Sequence, residues 1–397
     1  MKAIPSRRQF VIGSCTTALA AGCATRKSAE GGPNPGPSLV VYFGTYTSKG
    51  STSRGIYRAS LDTVSGVLSP VSLAAEALEP SFLAIAADGQ HLYAVNELMS
   101  FEGQVAGAVQ SFTIDPRTND LTPGNQLSTG GGAPCHLTLG NAGKALVVAN
   151  YMGGNVASYA LRPDGLIERR ASLVQHAGKG PNAQRQEGPH AHAAILDPAG
   201  RRVFVCDLGL DQIFAYTIDS TGAITGSEAP VGIVAPGSGP RHIAFHPRGR
   251  FAYVNNEMAS TVTVFAHDTE TGNLSELHTI STLPGEHKGN STAQVALTPN
   301  GRWLYVSNRG HNSLAMYAVD QETGRLSSLG NQTTGGKTPR DFAIDPSGTF
   351  LLAANQDSDN VVVFRIDAAT GKLFMVGSPV AVPRPVCVVF QTRISSN

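Results

Sequence analysis

Asp345-Pro-Ser-Gly-Thr-Phe-Leu-Leu-Ala-Ala-Asn355 decides how this chain folds, because five other stretches repeat its frame. The frame is a turn glycine followed seven residues later by Asn or Asp: Gly89 and Asn96, Gly143 and Asn150, Gly200 and Asp207, Gly249 and Asn256, Gly301 and Asn308, Gly348 and Asn355. Successive glycines are 54, 57, 49, 52 and 47 residues apart. Units of this length, built from short apolar runs and turn residues, mark a β-propeller with one four-stranded blade per repeat.

Working outward from Gly348, Phe342-Ala-Ile precedes the turn, Phe350-Leu-Leu-Ala-Ala follows it, and Val361-Val-Val-Phe-Arg-Ile comes after a polar loop at Asp357–Asn360. A fourth run lies at Leu373–Val382. All are shorter than a helix, rich in β-branched and aromatic residues, and bounded by Gly, Pro, Asn and Asp. Pro presets φ in the turn and Gly accepts a left-handed conformation. Gly and Pro together make 68 of 397 residues, about 17% against a usual 12% or so, which suits a fold of many tight turns.

The two chain ends complete a seventh unit. Val386-Cys-Val-Val-Phe390 matches the innermost strand but has no partner after it, while Val40–Tyr46 and Gly55–Leu61 match second and third strands that lack a first. Pairing the ends closes the ring and removes open sheet edges. The expectation is therefore an all-β, seven-bladed propeller of four-stranded antiparallel blades over residues 39–397.

The residues before it read as a leader. Ser6-Arg7-Arg8-Gln9-Phe10-Val11, followed by an uncharged apolar stretch to Gly22, resembles a twin-arginine export signal, which a receptor reads as an address out of the bacterial cytoplasm. Ala20-Ala-Gly-Cys23 resembles a lipoprotein cleavage box that would lipidate Cys23, although Ala20 stands where Leu is usual; cleavage near Ala24 with soluble release is the competing outcome. Residues 1–23 are thus expected to be a signal peptide and 24–38, with Gly31-Gly-Pro-Asn-Pro-Gly-Pro37, a flexible tether. A periplasmic location follows, anchored or released. Losing Lys2, Arg7 and Arg8 and no acid moves the net charge from +1 to −2, which argues against nucleic acid as a partner. Cys135, Cys206 and Cys387 remain, an odd number beside strand runs, expected to be buried thiols.

In an up-and-down blade the start of the first strand neighbours the end of the second. Polar residues at those two places gather at one mouth of the central channel. Eight residues before the turn glycines stand Ser81, Cys135, His192, Arg241, Ala293 and Arg340; eight after stand Glu97, Tyr151, Leu208, Glu257, Arg309 and Gln356. Histidine and arginine on an inner strand suit chemistry better than packing. His136 and His242 fall one position off the columns and are expected to face between blades.

Four runs then carry a resemblance: Gln184-Arg-Gln-Glu-Gly-Pro-His-Ala-His192, Gly239-Pro-Arg-His242, Tyr253-Val-Asn-Asn-Glu257 and Tyr305-Val-Ser-Asn-Arg309. They resemble the seven-bladed lactonase family, which includes propeller-type 6-phosphogluconolactonases and carboxymuconate lactonising enzymes. The resemblance spans the chain after the tether. It implies hydrolysis of a small-molecule lactone without cofactor or metal, with His192, Glu257, Arg241 and Arg309 as catalytic residues. His192 and Glu257 would act on water, and the arginines would hold the developing negative charge.

Around this set, His190, Arg185, Gln186, Glu97 and Arg340 are the candidate substrate contacts. Residues 174–188 form the longest connection between blades and enter the histidine pair directly, so they are either a lid or a passive insertion. Structural readings stand beside these: His192 as a strand cap, and Arg241 and Arg309 as ion partners of Glu257. Asp357-Ser-Asp359 reads as a solvated turn rather than a metal site. A monomer is expected, and the substrate that fits an exported enzyme is a non-phosphorylated aldonolactone. The rival function is a non-catalytic propeller that binds a ligand or partner protein, distinguished by whether the His–Arg–Glu–Arg set converges on one cavity.

Overall fold

The computed structural model describes residues 37–48, 50–226 and 229–391. The chain divides into residues 1–35 and 36–397, and the second unit is the propeller. The expected signal peptide, Cys23 and most of the expected tether lie outside the described residues.

The strands form seven sheets. Blades 1 to 6 begin with inner strands Phe82–Ile85, Pro134–Gly140, Ala191–Leu196, Pro240–Phe245, Ser291–Leu297 and Pro339–Ile344. Blade 7 joins the two ends: Pro385–Phe390 pairs antiparallel with Ser38–Thr45, followed by Gly55–Asp62 and Ser72–Glu76. The register runs from Val41 opposite Phe390 to Thr45 opposite Pro385, the expected closure. Blade 3 departs from four strands. Its outer strand is split into Ile224–Gly226 and Gly232–Ile233, both paired with Gln212–Ile218. Pro230 in this stretch has no N–H for the ladder.

The repeated frame has a bonding reason. In the last unit Gly348, at φ 73°, donates its N–H to the Asp345 carbonyl, while the Asp345 carboxylate caps the N–H groups of Thr349 and Phe350. Seven residues on, the Asn amide leaves the blade. Asn150, Asn308 and Asn355 donate to the carbonyls of Thr129, Thr282 and Thr334, each in the connection from the preceding blade. Tyr93, Tyr253 and Tyr305 bond forward to the Gly165, Gly324 and Gly371 carbonyls of the next blade. Seven apolar clusters fill the space between neighbouring blades.

Six of the seven inner strands carry a bulge near their first residues. Opposite Asn256 and Asn255 stand Pro240 and His242, with Arg241 as the extra residue; His192, Cys135 and Arg340 are extra in the same way. Blade 5 sets Ala293 and Gln294 opposite the single residue Ser307, and blade 7 inserts Val386. A bulge interrupts strict alternation and lets consecutive side chains share a direction.

Removing residues 384–397 deletes the inner strand of blade 7 with buried Val386, Cys387 and Val388, each contributing roughly 1.5–3 kcal/mol. That is comparable with a whole domain's stability of about 5–15 kcal/mol. A thermal melt of the truncated chain is expected to lose its cooperative transition, whereas an unchanged melt contradicts the closure.

Candidate active site

A cavity of about 340 Å³ opens at one mouth of the channel, lined by Glu97, Cys135, Tyr151, Arg185, His192, Glu257, Ser291, Arg309 and Arg340. Most of these come from the two columns eight residues either side of the turn glycines. The two columns therefore converge on one cavity.

Glu257 sits at its centre. Its Oε2 lies 2.9 Å from Arg309 Nη2, 3.1 Å from Arg241 Nε and 3.9 Å from His192 Nε2; its Oε1 accepts a hydrogen bond from Arg185 Nη2 at 2.7 Å. Blades 3, 4 and 5 and one connection thus converge on one carboxylate. Arg241 is held from below as well, donating through Nη1 to the Ala293 carbonyl and to His242 Nε2. Arg309 Nη2 also donates to the Thr292 carbonyl. On the other side of the mouth Glu97 accepts from the Tyr46 hydroxyl at 2.9 Å and faces Arg340 at 4.0 Å, whose guanidinium lies over the Tyr46 ring.

These contacts fix the charge states. Burial alone would raise the Glu257 pKa, but Arg309, Arg241 and Arg185 outweigh it and bring it down to about 2. Burial, then Arg241, Arg340 and Arg309, hold His192 well below the ordinary imidazole value, so its ring is neutral. Burial also lowers the guanidinium pKa of Arg241 and Arg309, against the pull of Glu257. At neutral pH the site holds an ionised carboxylate, arginine donors and an unprotonated imidazole.

Several candidates sit elsewhere than expected. Gln186 does not reach the cavity: it is fully buried, its amide donates to the Leu208 carbonyl, and its carbonyl accepts from Asn182 N–H. Its polar atoms serve the loop, which corrects its assignment as a substrate contact. The outer strand of blade 2 runs to Gln175, so the connection starts at His176. Asn182 caps Gln184 and Arg185 N–H, and Gly180 N–H bonds the Gln186 carbonyl. The loop is a pinned arm that presents Arg185.

His190 precedes its strand and stands behind Tyr151, stacked on that ring at 4.5 Å, with Nδ1 on the Tyr151 carbonyl and Nε2 on Glu187. His136 and His242 do not face between blades. They belong to blades 2 and 4, which are not neighbours, yet their rings meet at 5.1 Å, and His242 also reaches His192 at 5.4 Å. Contact across non-adjacent blades is made over the channel axis, and the bulges turned these side chains there. Cys135, Cys206 and Cys387 are buried thiols. Tyr46 and Ser291 carried no repeat signal and were missed. Among the described residues no group of three or more His, Cys, Asp or Glu is arranged to hold a metal ion.

Fold and cavity together define a propeller with a charged mouth, and comparison with known proteins gives it a family. Residues 40–390 match the family described as "Lactonase, 7-bladed beta-propeller". The chain belongs to this family of lactone-hydrolysing propellers. A 6-phosphogluconolactonase of Bacillus subtilis is 37% identical over 88% of this chain and 98% of its own length. Among solved structures, a putative 6-phosphogluconolactonase of Bacteroides fragilis superposes with TM-score 0.82 at 35% identity, covering 89% of this chain and 98% of that one. The Pseudomonas aeruginosa periplasmic gluconolactonase gives TM-score 0.82 at 32% identity, covering 89% and 99%.

The folded pKa of Glu257 lies below its unfolded value, so its contribution to stability is full above about pH 4.5 and is lost as pH falls toward 2. Glu257→Gln is expected to cost on the order of 3 kcal/mol at pH 7, with the gap to wild type narrowing below pH 4.5. Denaturant unfolding at pH 7 and pH 3 reads this; an equal loss at both values contradicts the charge assignment.

Proposed function

We propose that this protein hydrolyses a neutral, non-phosphorylated aldonolactone outside the cytoplasm, at the cavity around His192, Glu257, Arg241 and Arg309. The observation that carries the reading is convergence: a neutral imidazole and two arginine donors meet beside one cavity, within the usual small-molecule range of about 300–1,000 Å³. This favours an enzyme over a passive binding platform.

His192 is the base in this mechanism. Its ring is unprotonated across the physiological range, whereas Glu257 is too weak a base and both its oxygens face cations. Water attacks the lactone carbonyl carbon as His192 Nε2 takes its proton. The carbonyl oxygen becomes an oxyanion, stabilised by Arg309 and Arg241. Glu257, 3.9 Å from Nε2, stabilises the transient imidazolium. When the oxyanion collapses the ring C–O bond breaks, and the proton on His192 passes to the leaving oxygen. Lactone and water become a hydroxy acid, with nothing oxidised or reduced. Glu97, Arg340, Tyr46 and Arg185 face the remaining hydroxyl groups of the substrate.

The location rests on the Arg7-Arg8 leader and on similarity to the periplasmic gluconolactonase. We take the mature protein as an exported monomer, either anchored through Cys23 or released. Arg7→Lys with Arg8→Lys is expected to keep the chain in the cytoplasm with its fold intact; normal export of the double variant overturns the assignment. Loss of palmitate labelling in Cys23→Ala distinguishes the anchored form.

Hydrolysis of gluconolactone and 6-phosphogluconolactone, followed by acid release at constant pH, tests the substrate. A higher kcat/KM on the neutral lactone is expected, and preference for the phosphorylated one contradicts the proposal. On the better substrate His192→Ala should lose about 10²–10⁴ in kcat. Arg241→Lys and Arg309→Lys should lose about 10²–10³, because lysine keeps the charge but not the fork. Unchanged turnover in all three places the chemistry elsewhere.

A further inference from the structure

Beneath the cavity lies a second layer of side chains that the reaction above does not use. The bulge in blade 4 sends Arg241 into the site and His242 toward the axis below it. His242 Nδ1 meets Gln294 Oε1 of blade 5 at 2.8 Å, and Gln294 Nε2 donates to Asp341 Oδ1 of blade 6 at 2.7 Å. Asp341 Oδ2 accepts the N–H of Val388, in the strand that closes the ring, at 2.7 Å. Four blades are joined in one run ending at Arg241 Nη1, 3.1 Å from His242 Nε2.

The direction of every bond in this run is fixed. Val295 N–H donates to Gln294 Oε1 at 2.9 Å, so that atom is the amide oxygen and Nε2 is the donor. An oxygen can only accept, so His242 Nδ1 carries the hydrogen. His242 Nε2 is then a bare lone pair, free to accept from Arg241. A second proton on this ring would set two N–H groups against each other; burial and Arg241 keep it neutral. All donors point toward Asp341, the anionic end.

We propose that Asp341, Gln294 and His242 are positioning residues: the chain from the closing strand to Arg241 holds that guanidinium in its catalytic orientation, and the charge state of Asp341 sets how firmly it does so. The kinetic part rests on the role given to Arg241 above; the hydrogen-bond part does not.

The groups facing this layer come from every side. Arg241 and His242 belong to blade 4, Arg340 to blade 6, Cys387 and Val386 to blade 7, Glu97 and Ser81 to blade 1, Cys135 and His136 to blade 2, and His192 to blade 3. Burial pushes both thiols up and His136 down to about 3. Burial also raises Asp341, against Val388 N–H, Gln294 and Arg241, to about 6. Protonation of Asp341 removes the only charge in this run opposite to that of Arg241.

Nitrogen-15 NMR of the His242 ring and the Arg241 Nε–H across pH 4.5–8 tests the proposal without any substrate. In the wild type a single neutral tautomer with Nδ1 protonated is expected, with both signals shifting at a midpoint near pH 6. Asp341→Asn should abolish that shift. Gln294→Met should mix the tautomers and, on the lactone wild type hydrolyses, lower kcat at least tenfold with KM little changed. Gln294→Glu sets a second carboxyl beside Asp341, and sharing one proton restores the run, so its activity optimum should move to lower pH. A pH dependence of His242 unchanged in Asp341→Asn, or wild-type kcat in Gln294→Met, overturns the proposal. If Asp341→Asn does not fold, the two Gln294 variants decide it. Should wild type hydrolyse no lactone, the functional reading fails while the NMR outcomes still decide this one.

Discussion

Two residues opposite one, at the entrance of the inner strands, is the constraint on which the site depends. Regular pleating would alternate side chains between the channel and the neighbouring blade. With Cys135, His192, Arg241 and Arg340 inserted as extra residues, the strands build two tiers instead. The upper tier lines or underlies the cavity. The lower, with His136, His242, Gln294 and Asp341, fills the axis beneath it. Bulges cost ladder hydrogen bonds, and the costs fall where the neighbouring blades already fix the backbone.

Electrostatics explains why Glu257 stands among the arginines. Arg241 is buried and Arg309 largely so, and an uncompensated buried guanidinium is severely destabilising. Glu257 offsets that penalty and is held ionised by it. Burial, with the same arginines beside it, strips His192 of its proton affinity, so the imidazole waits as a neutral acceptor. An arginine-ringed carboxylate is therefore a counter-ion first, and in the proposed mechanism proton transfer falls to His192 rather than to the carboxylate that the sequence pattern also offered.

Much of this was legible in sequence because the fold is periodic. The turn glycine and the Asn or Asp seven residues on recur in six units, so counting eight residues either way puts His192, Glu257, Arg241, Arg309, Glu97 and Arg340 at or beside one cavity from sequence alone. What the count could not see was local geometry. Strict alternation puts His136 and His242 between blades, and the bulges break it. Gln186 looked like a ligand because it flanks Arg185, yet its amide pins the loop to Leu208. Tyr46 comes from the strand that enters from the N-terminal end, outside the six complete repeats, so no column contained it.

In the proposed mechanism the channel mouth stabilises negative charge on an opening lactone. A crystal structure of the protein with an aldonate, the hydroxy acid that ring opening would release, tests it most directly. The expected result is the carboxylate on the Arg309 and Arg241 guanidinium groups, its carbon within reach of His192 Nε2 and the polyol facing Glu97 and Arg340. An aldonate bound outside this cavity, or seated with its carboxylate away from both arginines, would contradict it.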